Sequence, residues 1–406
     1  MVTRYCFWSL LFFWLSVSAL KAQSYLCENS LRYEDYVVLK VDTIKDVFYH
    51  RSESLGGKFR ELKMDIFKPA KDPVTRRPAI LLAHGGGFLG GRKESLHKHC
   101  MEMASRGYVC ATAQYRLIDT LVLNEKDYIE GAMRAVMDIA YAIQFLRSNA
   151  LAQNDFGIDP ELIFVGGFSA GAVAALHVNF LDPNELESQM LSKTTRKECL
   201  HLLSKEVSYR PTGALSFAGA LLDSSWIDRD DPPLMSYHNT GDEVVPCGQG
   251  VSRRSISRTD VYGSCFIHKR LEQFPEFTQR ARIFEQKGHM NFLGSIPRQQ
   301  FYRDIGRFTK SVICSHYEKR EKTKRLIDID YLPNPQGNRL RLDIALEEEE
   351  SFHFSLLNAD GKVVHERQYP HAQRILLPIS NLENGIYLVR LVGASDQSIG
   401  RIMVMH

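Results

Sequence analysis

The stretch that decides the fold runs Phe164-Val165-Gly166-Gly167-Phe168-Ser169-Ala170-Gly171-Ala172-Val173-Ala174-Ala175-Leu176. The β-branched and aromatic run from Leu162 to Val165 predicts a short buried strand, and Ala170 to Val178 has the composition of a helix. Between them Gly167, Ser169 and Gly171 spell G-x-S-x-G. A serine at so sharp a strand-to-helix turn projects from a strained backbone. A Cβ on either flank would collide with the neighbouring strand or helix. A glycine-rich turn that happens to contain serine would give the same letters, so the surroundings decide.

Upstream, Pro78-Ala79-Ile80-Leu81-Leu82-Ala83-His84-Gly85-Gly86-Gly87-Phe88 is a second buried-strand run, this one ending in His-Gly-Gly-Gly. Successive glycines leave backbone N–H groups unobstructed, which suits a hole for a developing oxyanion. One donor is expected from this loop, at Gly86 with Gly85 or Gly87 beside it. The other is the N–H of Ala170, the residue after the serine. With both motifs on the page, the sequence resembles the α/β-hydrolase superfamily, and within it the carboxylesterases and hormone-sensitive-lipase-like esterases. The resemblance covers roughly Val37 to Tyr317. It implies a doubly wound, mostly parallel sheet and a serine esterase activity.

The family order is Ser, then Asp or Glu, then His. Pro233-Leu234-Met235-Ser236-Tyr237-His238-Asn239-Thr240-Gly241-Asp242-Glu243-Val244-Val245-Pro246 looks like the family's acid loop, with Asn239 where glycine is usual. Asp242 is the expected acid. Glu243 is adjacent but would face the other side of the turn, and Asp223, Asp228, Asp230 and Asp231 precede the strand. Arg280 to Glu285 reads as the last strand, and His289 follows it after Lys287-Gly288, so His289 is the expected base. Of the 14 histidines, His97, His99, His201 and His268 are read as surface or satisfied core residues. His84 and His238 are read as packing and hydrogen-bonding residues inside their motifs. Ser169, Asp242 and His289 then form a set for acyl transfer that needs no metal or organic cofactor. The chain contains no HExxH, no paired CxxC and no GxGxxG opening a βαβ unit.

The ends of the chain set the location. Arg4 precedes the apolar run Phe7 to Leu20, and small Ala22 follows, so residues 1–22 read as a secretory signal peptide, with an uncleaved anchor as the alternative. No later segment is long and apolar enough for a transmembrane helix. Seven of the eight cysteines lie beyond it. In an oxidising compartment some should pair, and Cys247 with Cys265, bracketing a polar insertion after the acid loop, is the expected bridge. A formal net charge of +3 over 406 residues argues neither for nor against a polyanionic partner, and no nucleic acid is expected.

The catalytic region is expected over 23–318, with a possible cap insertion at 182–209 that either lines an acyl pocket or decorates the edge. The mixed-charge run Lys319 to Arg325 reads as part of a solvated linker, 319–326. From 327 to 406 short β-type runs alternate with turn residues such as Asn358-Ala359-Asp360-Gly361-Lys362 and Glu383-Asn384-Gly385, which predicts a small all-β sandwich. Leu332-Pro333-Asn334-Pro335, Asp360-Gly361-Lys362-Val363-Val364, Leu382-Glu383-Asn384-Gly385-Ile386-Tyr387 and the closing strand Arg401 to Met405 resemble the C-terminal sorting domain of type IX secretion. The family's opening Tyr-Pro-Asn-Pro is altered by Leu332, inserted after Tyr331. The resemblance implies secretion machinery as a partner and a secreted or cell-surface location. A carbohydrate-binding module beside a polysaccharide acetyl or feruloyl esterase is the alternative for this region. A serine peptidase or a non-catalytic binding protein are the other readings of the first. The substrate's acyl chain and alcohol are not legible: lipid, acylated glycan and small ester all fit.

Overall fold

The computed structural model describes residues 30–122, 124–189, 192–252, 259–325, 329–332, 339–344, 351–358, 362–370, 374–378, 380–392 and 397–404. The expected signal segment, 1–22, lies outside them. The chain divides into two compact units, the first ending at Ile313 and the second beginning at Cys314.

The first unit runs β1 (Val41–Glu53), β2 (Phe59–Pro69), β3 (Arg77–Ala83), α1 (His97–Ser105), β4 (Val109–Ala113), α2 (Glu125–Leu151), β5 (Ile158–Phe168) and α3 (Ala170–Phe180). It continues through α4 (Pro183–Ser188), α5 (Lys193–Leu203), β6 (Gly213–Phe217), β7 (Ala220–Leu221), β8 (Leu234–Gly241), β9 (Gln249–Val251) and β10 (Asp260–Gly263). α6 (Ser264–Leu271), β11 (Gln279–Lys287) and α7 (Phe292–Ser295) follow, and α8 (Arg298–Arg325) begins in this unit and continues past Ile313. Eight strands form one sheet in the order β1-β2-β4-β3-β5-β6-β8-β11. β1, β2 and β4 pair antiparallel in turn, and every pairing from β4 to β11 is parallel.

Register explains where the site falls. Leu81 of β3 sits opposite Ala111 of β4 on one side and Val165 of β5 on the other. The strand order therefore reverses at β3/β5, and the crevice beyond their carboxyl ends is the place where open α/β sheets bind ligands. All of β3 is buried, and so is β5 apart from Glu161, as expected of strands covered on both faces. α2 lays Met133 to Ile143 into this core, and Asn124 caps it by accepting the N–H of Asp127.

Two expectations differ from what is found, at the opening strand and at the linker. The run Val37-Val38-Leu39-Lys40-Val41 reads as an opening strand, but β1 starts at Val41 and runs to Glu53. Its register shifts at Ile44/Val47 and Phe48/His50 break the in–out alternation a sequence reading relies on. The insertion at 182–209 forms α4 and α5 and packs on α2, with the Tyr141 hydroxyl donating to the Glu198 carbonyl and Gln144 Nε2 to the Leu202 carbonyl. The charged run 319–325, read as linker, continues α8 to Arg325. Glu318 with Lys322 and Glu321 with Arg325 stand in the acid-first i,i+4 order that favours helix.

From Ile329 onward the described residues of the second unit are all-β. β12 (Ile329–Leu332), β13 (Arg339–Ile344) and β16 (Arg374–Pro378) form one antiparallel sheet. β15 (Val363–Pro370), β14 (Ser351–Leu357), β17 (Gly385–Val392) and β18 (Gln397–Val404) form the other. Tyr387, Val389 and Leu391 are buried at alternate positions along β17, and Phe354 and Leu356 of β14 are buried as well.

One buried ion cluster ties the first unit's layers together. Arg116 meets the Asp138 carboxylate through its backbone N–H and guanidinium, and also donates to Ser52 Oγ, the Glu53 carbonyl and Glu198 Oε2, at 2.7–2.9 Å. Those partners belong to β1, α2 and α5. Removing the guanidinium leaves Asp138, wholly buried, without its counter-charge. Arg116→Leu is expected to cost about 3–5 kcal/mol of stability, read as a lower midpoint in denaturant titration.

Candidate active site

The turn after β5 is built by close approach. A Cβ on Gly171 would stand 2.1 Å from the Ala83 carbonyl oxygen, and one on Gly167 would stand 2.3 Å from the Gly171 carbonyl. α3 can therefore begin against the end of β3 only with glycine at both places. Ser169, between them, holds φ 54° and ψ −119°, a region L-residues rarely occupy. Its N–H is anchored by the Phe217 carbonyl, and its own carbonyl accepts the Val173 N–H, each at 2.9 Å. Phe88 and Met290, next to the glycine loop and to His289, also have positive φ, 61° and 59°. Three strained residues thus ring one point, a distribution typical of functional sites.

The structure brings Ser169, Asp242 and His289 together. His289 Nε2 lies 2.8 Å from Ser169 Oγ, and its Nδ1 lies 2.7 Å from Asp242 Oδ2. The ionised carboxylate can only accept, so Nδ1 carries the proton and Nε2 is left to accept from the serine hydroxyl. Burial alone would raise the Asp242 carboxyl. The hydrogen bonds from His289 and from the Val245 and Val244 N–H groups outweigh it and hold the acid below its usual range.

The residue that departs from the family pattern has a visible task. Asn239 Nδ2 donates to the Gly288 carbonyl at 2.7 Å, while Asn239 Oδ1 accepts from Gln286. The acid strand thereby grips the loop carrying His289, and the Gly288 N–H closes the same seam onto the Gly241 carbonyl. His238 Nε2 donates to the Val245 carbonyl, which leaves its Nδ1 to accept from the Ser264 hydroxyl, so the ring ties the acid loop to α6.

Gly85, Gly86, Gly87 and Ala170 border the cavity beside Ser169. Ala170 opens α3, and the first N–H groups of a helix have no intrahelical acceptor. Gly86 and Gly87 hold φ values of 126° and 63°, which turn the loop across the end of β3. Tyr128 of α2 donates its hydroxyl to the Gly87 carbonyl at 3.2 Å, and His84 stacks on Tyr115 with centroids 4.2 Å apart. The sequence had no signal for Tyr128, which lies 41 residues from the loop it holds.

The cavity encloses about 700 Å³ and is mostly apolar, within the range of small-molecule sites. Phe88 and Phe168 line it, whereas Trp226 is buried behind it against His177. Among the described residues none from 182–209 borders it, so the insertion is an edge structure here. His99, read as an ordinary core or surface residue, is in the wall, with the Tyr302 hydroxyl at its Nδ1. Burial, aided by Arg298, lowers its pKa to about 4. Cys247 and Cys265 form a disulfide. It closes an 18-residue segment bearing β9 and β10, whose Val261 and Thr259 reach the cavity. Cys314 is disulfide-bonded as well. The other acid candidates serve elsewhere: Asp231 pairs with Arg210, and Asp223 accepts the Ser225 N–H.

Sheet order and the strand–Gly-x-Ser-x-Gly–helix turn give the first unit the architecture of an α/β-hydrolase fold. Residues 64–207 match the family model BD-FAE, and residues 331–405 match the secretion system C-terminal sorting domain. Over 118 residues the chain is 34% identical to gut esterase 1 of Caenorhabditis elegans, covering 28% of this chain and 20% of that protein. Over 127 residues it is 32% identical to methylphloroacetophenone synthase of Cladonia uncialis, covering 30% of this chain and 5% of that protein. The matches thus span a fifth or less of these relatives' length. Among solved structures, the apo form of Thermogutta terrifontis esterase 2 aligns with TM-score 0.45 and 20% identity, covering 67% of this chain and 93% of that one. MGS-M1, an α/β hydrolase from a Medee basin deep-sea metagenome, aligns with TM-score 0.45 and 16% identity, covering 67% and 98%.

Gly171→Ala forces α3 away from β3. We expect a loss of about 2–3 kcal/mol from overpacking, together with a far larger loss of any Ser169-dependent activity than the fall in thermal midpoint explains.

Proposed function

We propose that this protein is an exported serine hydrolase that cleaves carboxylic esters through an acyl-enzyme. The observation that carries the reading is the unbroken hydrogen-bond chain from Asp242 through His289 to Ser169 at the edge of an apolar cavity. Its sense is fixed by proton bookkeeping. Nδ1 is occupied by the bond to Asp242, so neutral Nε2 takes the Ser169 proton as Oγ attacks the ester carbonyl. The carboxylate, already held in its ionised form, stabilises the imidazolium that results.

Negative charge then develops on the carbonyl oxygen. The N–H groups of Ala170 and of Gly86, with Gly85 or Gly87, are the donors we assign to it, and the positive end of the α3 dipole adds to them. His289 returns its proton to the departing alcohol. Water, deprotonated by the same nitrogen, hydrolyses the acyl-enzyme and restores Ser169. The strained φ of Ser169 serves this step by presenting Oγ to the cavity rather than to the helix.

The sorting domain supports export across the outer membrane, with the secretion machinery as its partner and the cell surface or medium as the site of action. The bridge between Cys247 and Cys265 and the disulfide-bonded Cys314 agree with an oxidising compartment.

Two experiments test this. A fluorophosphonate probe is expected to label Ser169, located by peptide mass spectrometry, and Asp242→Asn is expected to lower kcat for p-nitrophenyl acetate about 10⁴-fold. Labelling elsewhere, or an Asp242→Asn variant as fast as wild type, would sink the mechanism. Separately, deleting 327–406 is expected to leave esterase activity intact but retained in the periplasm. Normal export of the truncated chain, read by fractionation, would refute the sorting role.

A further inference from the structure

Two helices that meet at the cavity each turn one stripe of side chains towards it. On α3 the stripe is Val173 and His177, following Ser169 at the helix cap; on α2 it is Tyr128, Ala132 and Val136. Both stripes step by four residues and so lie on one helix face. Each spans eight residues, about 12 Å of helix rise. The result is a slot with the nucleophile at one end and His177 at the other. An alkyl chain of ~1.5 Å bonds advances about 1.3 Å per carbon, so roughly eight carbons reach from an ester carbonyl on Ser169 to His177.

Apart from the Tyr128 hydroxyl, which is engaged by the Gly87 carbonyl, the side chains lining the slot between Ser169 and His177 are apolar. His177 is 1% exposed, and its Nδ1 lies 2.7 Å from the Val173 carbonyl, to which it must donate. Nε2 then carries a bare lone pair, and it is buried without a partner. Burial, only partly offset by the bond to Val173, lowers the ring's pKa to about 4, so no proton relieves that lone pair at neutral pH. A histidine present only to fill space normally satisfies both nitrogens, because an unpaired buried acceptor is destabilising. Trp226 packs edge-on against the ring and fixes its plane.

We propose that the slot takes the acyl part of the substrate and that His177 Nε2 accepts a hydrogen bond from a hydroxyl at the far end of that acyl group. Which part of the substrate enters rests on the ester-hydrolase reading above; the hydroxyl preference itself does not. The acyl group is of medium length and ends in a hydroxyl, carried either on an aliphatic chain or on an aromatic ring. No bond to His177 forms or breaks, so the residue sets specificity without entering the chemistry.

The test is calorimetric binding of two pairs of acids to the full chain: octanoate with 8-hydroxyoctanoate, and 3-phenylpropanoate with 3-(4-hydroxyphenyl)propanoate. In wild type the hydroxylated member of at least one pair is expected to bind about five- to tenfold more tightly, the gain of one net hydrogen bond. The pair that discriminates identifies the aliphatic or the aromatic source. His177→Phe, which keeps a ring and loses the acceptor, is expected to level or reverse that preference. Equal affinities within both wild-type pairs overturn the proposal, and so does a preference that survives His177→Phe. The wild-type comparison decides alone if the variant does not fold. Hydrolysis of p-nitrophenyl acetate by the same preparation is scored separately. Hydroxyl preference without hydrolysis supports the subsite and sinks the esterase reading; hydrolysis without preference does the reverse.

Discussion

Everything at the site depends on how closely the start of α3 approaches the end of β3. With Gly171 against the Ala83 carbonyl and Gly167 against Gly171, the helix begins within one residue of the strand's last turn, and Ser169 is left in a conformation it would not choose. That strain is tolerable because neighbours over-determine it. The Phe217 carbonyl fixes the Ser169 N–H, the helix fixes its carbonyl, and Gly85 lies with its Cβ position 3.0 Å from the Phe168 carbonyl oxygen. The same proximity sets the His-Gly-Gly-Gly loop beside Ser169. One packing constraint therefore positions two segments that are 84 residues apart in sequence, at Gly85 and Ser169.

That constraint is also why so much was legible. Steric limits leave letters behind: glycine where a Cβ cannot fit, continuous apolar runs where a strand is covered on both faces. The parallel centre of the sheet, the serine turn and the glycine loop all belong to this class. That Asp242 and His289 would come to Ser169 was readable from their order, because a wound sheet delivers its strand ends to one edge in sequence. What stayed hidden had no steric letter. Tyr128 and His99 reach the cavity from helix faces, where an aromatic at helical spacing looks like any core residue. β1 was misplaced because its bulges remove the period on which a strand reading rests. The helical extension of α8 was hidden because a charged run solvates equally well as helix or as coil.

The departure at Asn239 shows how such a site absorbs variation. A glycine there would leave the loop after β11 to its own backbone for support. Asn239 instead spans from the acid strand to the Gly288 carbonyl and is itself held by Gln286. Gly288, with φ 91°, makes the turn that brings His289 back over the strand ends, and its carbonyl and N–H are both claimed by the acid strand. The separation between acid and base is then set by hydrogen bonds between their two loops and not only by the bond they share. Because an Asp–His pair must hold one tautomer and one ring plane to serve Ser169, a rigid seam between β8 and β11 is what the chemistry demands. The disulfide at Cys247 closes the other side of the acid loop. Asp242 is thus fixed from both directions, while Ser169 and His289 border the cavity.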